Sequence, residues 1–103
     1  EIAGILRSVL GIHVPEVFSL SQNYPNPFNP TTTIQFTLPT DESVSLSVYD
    51  LLGKTLTEPV KNIHYQAGTY NILFDGNQLS SGVYYYALKA GSYRDIRKML
   101  VIK

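Results

Sequence analysis

The chain has 103 residues, no cysteine and a formal net charge of zero, with eight basic residues against eight acidic ones. Hydrophobic residues at 44% and charged residues at 16% give a globular composition, with material for one domain around a single modest core. Zero net charge argues against a general nucleic-acid binder, the lack of thiols excludes disulfides and thiolate metal sites, and no apolar run nears the ~18 residues of a membrane span.

Ile2, Ile5, Leu6, Val9 and Leu10 follow the spacing of one helical face, with Gly11 and Pro15 as stops. So short a helix is marginal on its own. Residues 1–17 therefore read as a linker, or the tail of a preceding domain, with a possible short helix; a docking helix for a partner is the second reading. The opening "EIAGILRSVLGI" begins acidic and lacks a basic n-region, which makes a poor signal peptide. A piece of a longer protein is the expectation.

Residues 23–30 read "NYPNPFNP". Each proline lacks a backbone N–H and pushes its predecessor towards extended geometry. The run Tyr24-Pro25-Asn26-Pro27-Phe28-Asn29-Pro30 therefore cannot lie inside a regular helix or sheet, and Asn26 and Asn29 are expected to be extended. Tyr24 and Phe28 are larger and more apolar than a solvated linker carries. Both rings are expected to plug one end of the fold.

From residue 31 the period becomes two. Residues 33–38 and 44–48 alternate apolar and polar, as half-buried strands do. Asp50-Leu51-Leu52-Gly53 fits a type I turn. Two adjacent exposed leucines are unusual in a turn, so Leu51 or Leu52 is expected to fold back onto the domain and the other to be a contact candidate. Residues 55–63 make a weaker strand that Pro59 consigns to an edge or a bulge. Tyr70, Ile72 and Phe74 alternate through the next strand, and "SSG" at 80–82, with Gly82 last, is a turn. Residues 83–89 and 96–102 pair across Gly91-Ser92, which suits a two-residue hairpin of the II′ kind. Met99 to Ile102 is apolar at every position, so both its faces are expected to be covered. Six or seven short strands with no later helix predict an all-β fold over 18–103, an immunoglobulin-like antiparallel β-sandwich.

Chemistry-bearing constellations are thin. Ser81, His64 and Asp75 make an imaginable triad, but no G-x-S-x-G elbow surrounds Ser81. Asp75 and Asn77 lack calcium-loop spacing, and a turn that needs Gly76 accounts for them. No phosphate loop, dinucleotide fingerprint or H-E-x-x-H occurs. An enzyme is the weakest class, and no cofactor or metal is expected.

Tyr84, Tyr85 and Tyr86 must distribute their rings over both faces of a strand. Tyr84 and Tyr86 are assigned to the core with Leu88. Tyr85 is expected to join Tyr93 in an outer patch, serving either as a sugar platform or as cross-strand support. Lys89, Arg94, Arg97, Lys98 and Lys103 cluster late in the chain with Asp95 alone against them. They are either edge protection or a basic address, with Lys98 and Lys103 the address candidates.

The blocks "FSLSQNYPNPFNPTTTIQFTLP", "VSLSVYDLLGKTL", "AGTYNILFD", "LSSGVYYYALKAG" and "KMLVIK" together resemble the C-terminal sorting domain of type IX secretion substrates, over about residues 17–103. A more distant resemblance is to the immunoglobulin-like domain of flagellar hook-capping proteins. The first resemblance implies a domain fused behind an exported cargo in Bacteroidetes-type bacteria and recognised in the periplasm. It would then be guided through an outer-membrane translocon and removed by a sortase-like peptidase in the linker before Phe18. Two other readings stand beside it: a carbohydrate-binding sandwich with its eight tyrosines, and a structural module of the hook-cap kind.

Overall fold

The computed structural model describes residues 15–103, so the helical pattern at 2–10 lies outside the described residues. Seven strands follow in chain order: β1 (Ser19–Leu20), β2 (Thr31–Leu38), β3 (Glu42–Tyr49), β4 (Thr55–Tyr65), β5 (Gly68–Asp75), β6 (Gly82–Ala90) and β7 (Tyr93–Val101). They form two antiparallel sheets, β1-β2-β5 and β4-β3-β6-β7, packed face to face as a β-sandwich.

Period-two alternation decides which face each strand buries. Ile34, Phe36 and Leu38 of β2 point inwards, and Val44, Leu46 and Val48 of β3 meet them from the other sheet. Tyr86, Leu88 and Ala90 continue the buried layer on β6, and Met99 and Val101 complete it on β7. Ile102 is half exposed and Leu100 lies on the outer face, so the terminal strand is covered on one face and not on both. The all-apolar run misled here because a two-layer sandwich covers only the inner face of each sheet, and Leu100 and Ile102 lie on the outer one.

The connections follow their local chemistry. Gly53 N–H donates to the Asp50 carbonyl at 3.0 Å, and the Asp50 carboxylate accepts the Leu52 and Lys54 N–H groups. Gly53 then sits at φ +83°, a left-handed position that suits glycine. β4 is an edge, as Pro59 requires, and its register against β3 shifts between Ile63 and Val60, at a left-handed Asn62, and again on the way to Thr55. Ala90 pairs with Tyr93 across Gly91-Ser92, with Gly91 at φ +59°, the positive first position of a II′ turn.

Candidate functional site

The Pro-rich run lies along the free edge of β7 and is stitched to it. Asn26 Oδ1 accepts the Leu100 N–H at 3.0 Å, Phe28 N–H donates to the Leu100 carbonyl, and Ile102 N–H donates to the Phe28 carbonyl. Upstream, Gln22 Nε2 donates to the Lys98 carbonyl and Arg97 Nε to the Leu20 carbonyl. A proline cannot donate, so the run supplies acceptors and one ring, while the strand edge supplies most of the N–H groups. Its three X–Pro bonds, at Pro25, Pro27 and Pro30, are all cis. The backbone bends at Asn26 and Asn29 and does not run extended through them.

The expected pair of plugs is one plug. Phe28 is 2% exposed and meets Phe74 edge-on at 6.2 Å, whereas Tyr24 is 81% exposed. Tyr24 instead holds the run by its backbone, exchanging two hydrogen bonds with Thr33. Side chains four apart on a bent run need not share a face, which is why Tyr24 escapes burial. Gly76 stands against the plug: a Cβ there would lie 2.8 Å from the Phe28 ring. Close approach requires this glycine, and its N–H donates to the Pro30 carbonyl at 2.8 Å.

Behind the run lies a buried polar knot that sequence reading missed. The Tyr86 hydroxyl accepts the Asn23 N–H at 2.7 Å and donates to the Ser21 carbonyl at 2.6 Å. Asn23 Nδ2 donates to Thr32 Oγ1 and to the Pro25 carbonyl, and Thr32 Oγ1 donates to that same carbonyl. Among the described residues no buried side-chain nitrogen or oxygen lacks a partner. Burial pushes the Tyr86 hydroxyl up to about 12, because its anion would be poorly solvated there.

The remaining candidates are spread over the molecule. Leu51 and Leu52 are 64% and 94% exposed, so neither folds back onto the sandwich; the tight turn after Asp50 holds both outward. Gly82 opens β6 at φ +155°, and the Tyr84 hydroxyl donates to the Ser80 carbonyl, fastening the turn before its own strand. Tyr84 is half-buried against the core, beside the fully buried Tyr86. Tyr85 and Tyr93 lie on opposite faces of their sheet: Tyr85 pairs with Lys98 on the outer side, while Tyr93 stacks on Phe18 at 4.9 Å. The outer patch of those two rings is not formed: Tyr93 pairs with the inward Ala90 and stands five positions from Lys98, the partner of Tyr85, and an odd step along a strand reverses the face. Burial, then the Asp95 carboxylate, raises the Tyr93 hydroxyl above its ordinary value.

Lys98 is exposed on the outer face of β7. The Lys103 ammonium instead donates to the Gly76 and Asn77 carbonyls at 3.2 and 3.0 Å, closing the turn beneath Phe28. Of the two address candidates it is thus the one tied into the fold. Among the described residues no group of His, Asp and Glu is arranged to hold a metal, and no helix is long and apolar enough to cross a membrane.

No curated protein and no solved structure matches the chain. The description "Secretion system C-terminal sorting domain" matches residues 22–103, from the glutamine that grips the β7 edge to the lysine that closes the turn under Phe28. The segment that aligns is thus the unit that the Pro-rich stitch holds shut, and the chain belongs to the family of secretion system C-terminal sorting domains.

Proposed function

We propose that residues 18–103 act as a non-catalytic address, engaged in the periplasm by the type IX machinery and carried with a fused cargo through an outer-membrane translocon. The domain is a C-terminal sorting signal of type IX secretion, and its family context is export to the cell surface or the extracellular space. The finer reading is supported by one observation: the first and last blocks of the signature, the Pro-rich run and the terminal strand, meet along the edge of β7 although Asn26 and Leu100 are 74 positions apart, as a folded signal would and a linear peptide would not. Phe18 marks the start of this unit because its ring stacks on Tyr93. A sortase-like peptidase would cut before it, where Glu16 and Val17 are exposed. A sugar-binding role is not favoured, since the tyrosines are divided between core, turn clasps and both faces of the sheet.

The test is a reporter with an inner-membrane export signal fused ahead of residues 1–103, expressed in a type IX-competent bacterium. The reporter is expected outside the cell, ending upstream of Phe18 by mass spectrometry, and held in the periplasm of a translocon-deficient strain. Equal release from both strains overturns the reading; a released fusion with the domain intact overturns the cut.

A further inference from the structure

The outer face of the four-stranded sheet is not flat. Ser45, Ser47 and Ala87, small side chains on the central strands β3 and β6, floor a trough of about 550 Å³ walled by Glu58 on one side and Arg94 and Ile96 on the other. It runs on into a second hollow of about 390 Å³ between Tyr49, Tyr85 and Leu51. Ile96 and Leu51, both largely exposed, give this end an apolar lining. The opposite end is cationic.

Lys89 and Arg94 pair directly in register there, and Ser45 is the neighbour of Lys89 on β3, so no carboxylate stands in that row. Like charges directly opposite weaken a sheet, and among the described residues neither cation of this pair forms a salt bridge. Of the acids around the trough, Asp95 accepts the Tyr93 hydroxyl and the Ile96 N–H, and Glu58 stands in the far wall; among the described residues neither forms a salt bridge with Lys89 or Arg94. From Lys89 to Tyr85 the strand advances about 13 Å, room for about four extended residues.

We propose that this trough is the surface that docks on the secretion machinery, and that its occupant is an extended protein segment of that machinery bearing a carboxylate beside an aliphatic side chain. The carboxylate lies between Lys89 and Arg94, and the aliphatic group lies over Ala87 against Ile96 and Leu51. A narrow floor of small side chains accepts a chain and not a lipid plane. This inference rests on the sorting reading above.

The reporter fusion tests it with Lys89→Glu and Arg94→Glu, and with Leu73→Glu and Asn71→Glu on the outer face of the other sheet as controls. Each trough variant turns a repelling pair into an attracting one, so its melting temperature is expected to hold or rise while export falls about tenfold or more. The controls are expected to export like the parent. In solution, an octapeptide alternating Glu and Leu is expected to shift the amide resonances of Ser47, Ala87 and Ile96, and one alternating Lys and Leu is not. Parental export by both trough variants overturns the proposal, as does an acidic peptide that leaves those resonances unmoved. It is also overturned if Lys89→Glu abolishes binding to vesicles of equal phosphatidylglycerol and phosphatidylcholine, or splits a dimer of the parent. Failure of the unmodified fusion to leave the cell overturns the sorting reading itself, and the docking with it.

Discussion

Tyr86 sits where three parts of the chain meet, with its hydroxyl held between the Asn23 N–H and the Ser21 carbonyl. Its hydroxyl is raised to about 12 in the folded state against an ordinary value of 10.0. Below pH 10 both states keep the proton and the full stabilisation is present. As pH rises towards 12 the unfolded chain ionises first, so stability is expected to fall by roughly 2–3 kcal/mol over that window. Denaturant melts from pH 9 to 12 check this, and Tyr86→Phe is expected to flatten the profile while lowering stability at pH 7 through the orphaned Asn23 N–H. Phe28→Ala is expected to cost about 3–5 kcal/mol and Tyr24→Ala less than about 0.5 kcal/mol, read as shifts in the unfolding midpoint. Equal losses would mean that Tyr24 is as buried as Phe28. The aromatic pair was legible as needing a surface, but which ring receives it depends on how the run bends. Nothing in the letters singles out Asn23, since its partner hydroxyl lies 63 residues away and leaves no local trace.

Elements were more legible than contacts. Strand positions 33–38, 44–48 and 70–74 follow from alternation alone, because a strand with one face on the core must repeat every two residues. Gly68-Thr69-Tyr70 and Gly82-Val83-Tyr84 share one geometry that alternation does not reveal. Each glycine starts a strand at φ near +150°, and each tyrosine hydroxyl donates to the carbonyl four residues back, at Gln66 and Ser80. What the letters did not show is the reason for Gly76, which is required by the Phe28 ring and not by its turn. Gly76→Ala is accordingly expected to cost about 1–3 kcal/mol by overpacking. Combining it with Phe28→Leu should lose less than the sum of the single changes, since the smaller side chain makes room. Additive losses in a double-mutant cycle would show that the two positions do not touch.

At the scale of the molecule, stability depends on the last strand. Residues 98–103 carry Met99 and Val101 of the core and receive the stitches from Gln22, Asn26 and Phe28. At about 25 cal/mol per Å² of apolar burial, their deletion removes a large part of the ~5–15 kcal/mol that holds a small domain. Loss of the cooperative thermal transition is the expected result, and a truncated protein melting near the parent would refute it. Lys103→Gln is the milder counterpart: it gives up two carbonyl contacts for about 1 kcal/mol and is expected to export like the parent. The stitch has a further consequence for synthesis. Asn26 and Leu100 are 74 positions apart, so the early run stays unmatched on the ribosome until the far end of the domain has emerged. A product that stops short of residue 100 never presents the folded address. The fold thereby acts as a receipt for synthesis through β7, issued to a chain only after that strand has been made.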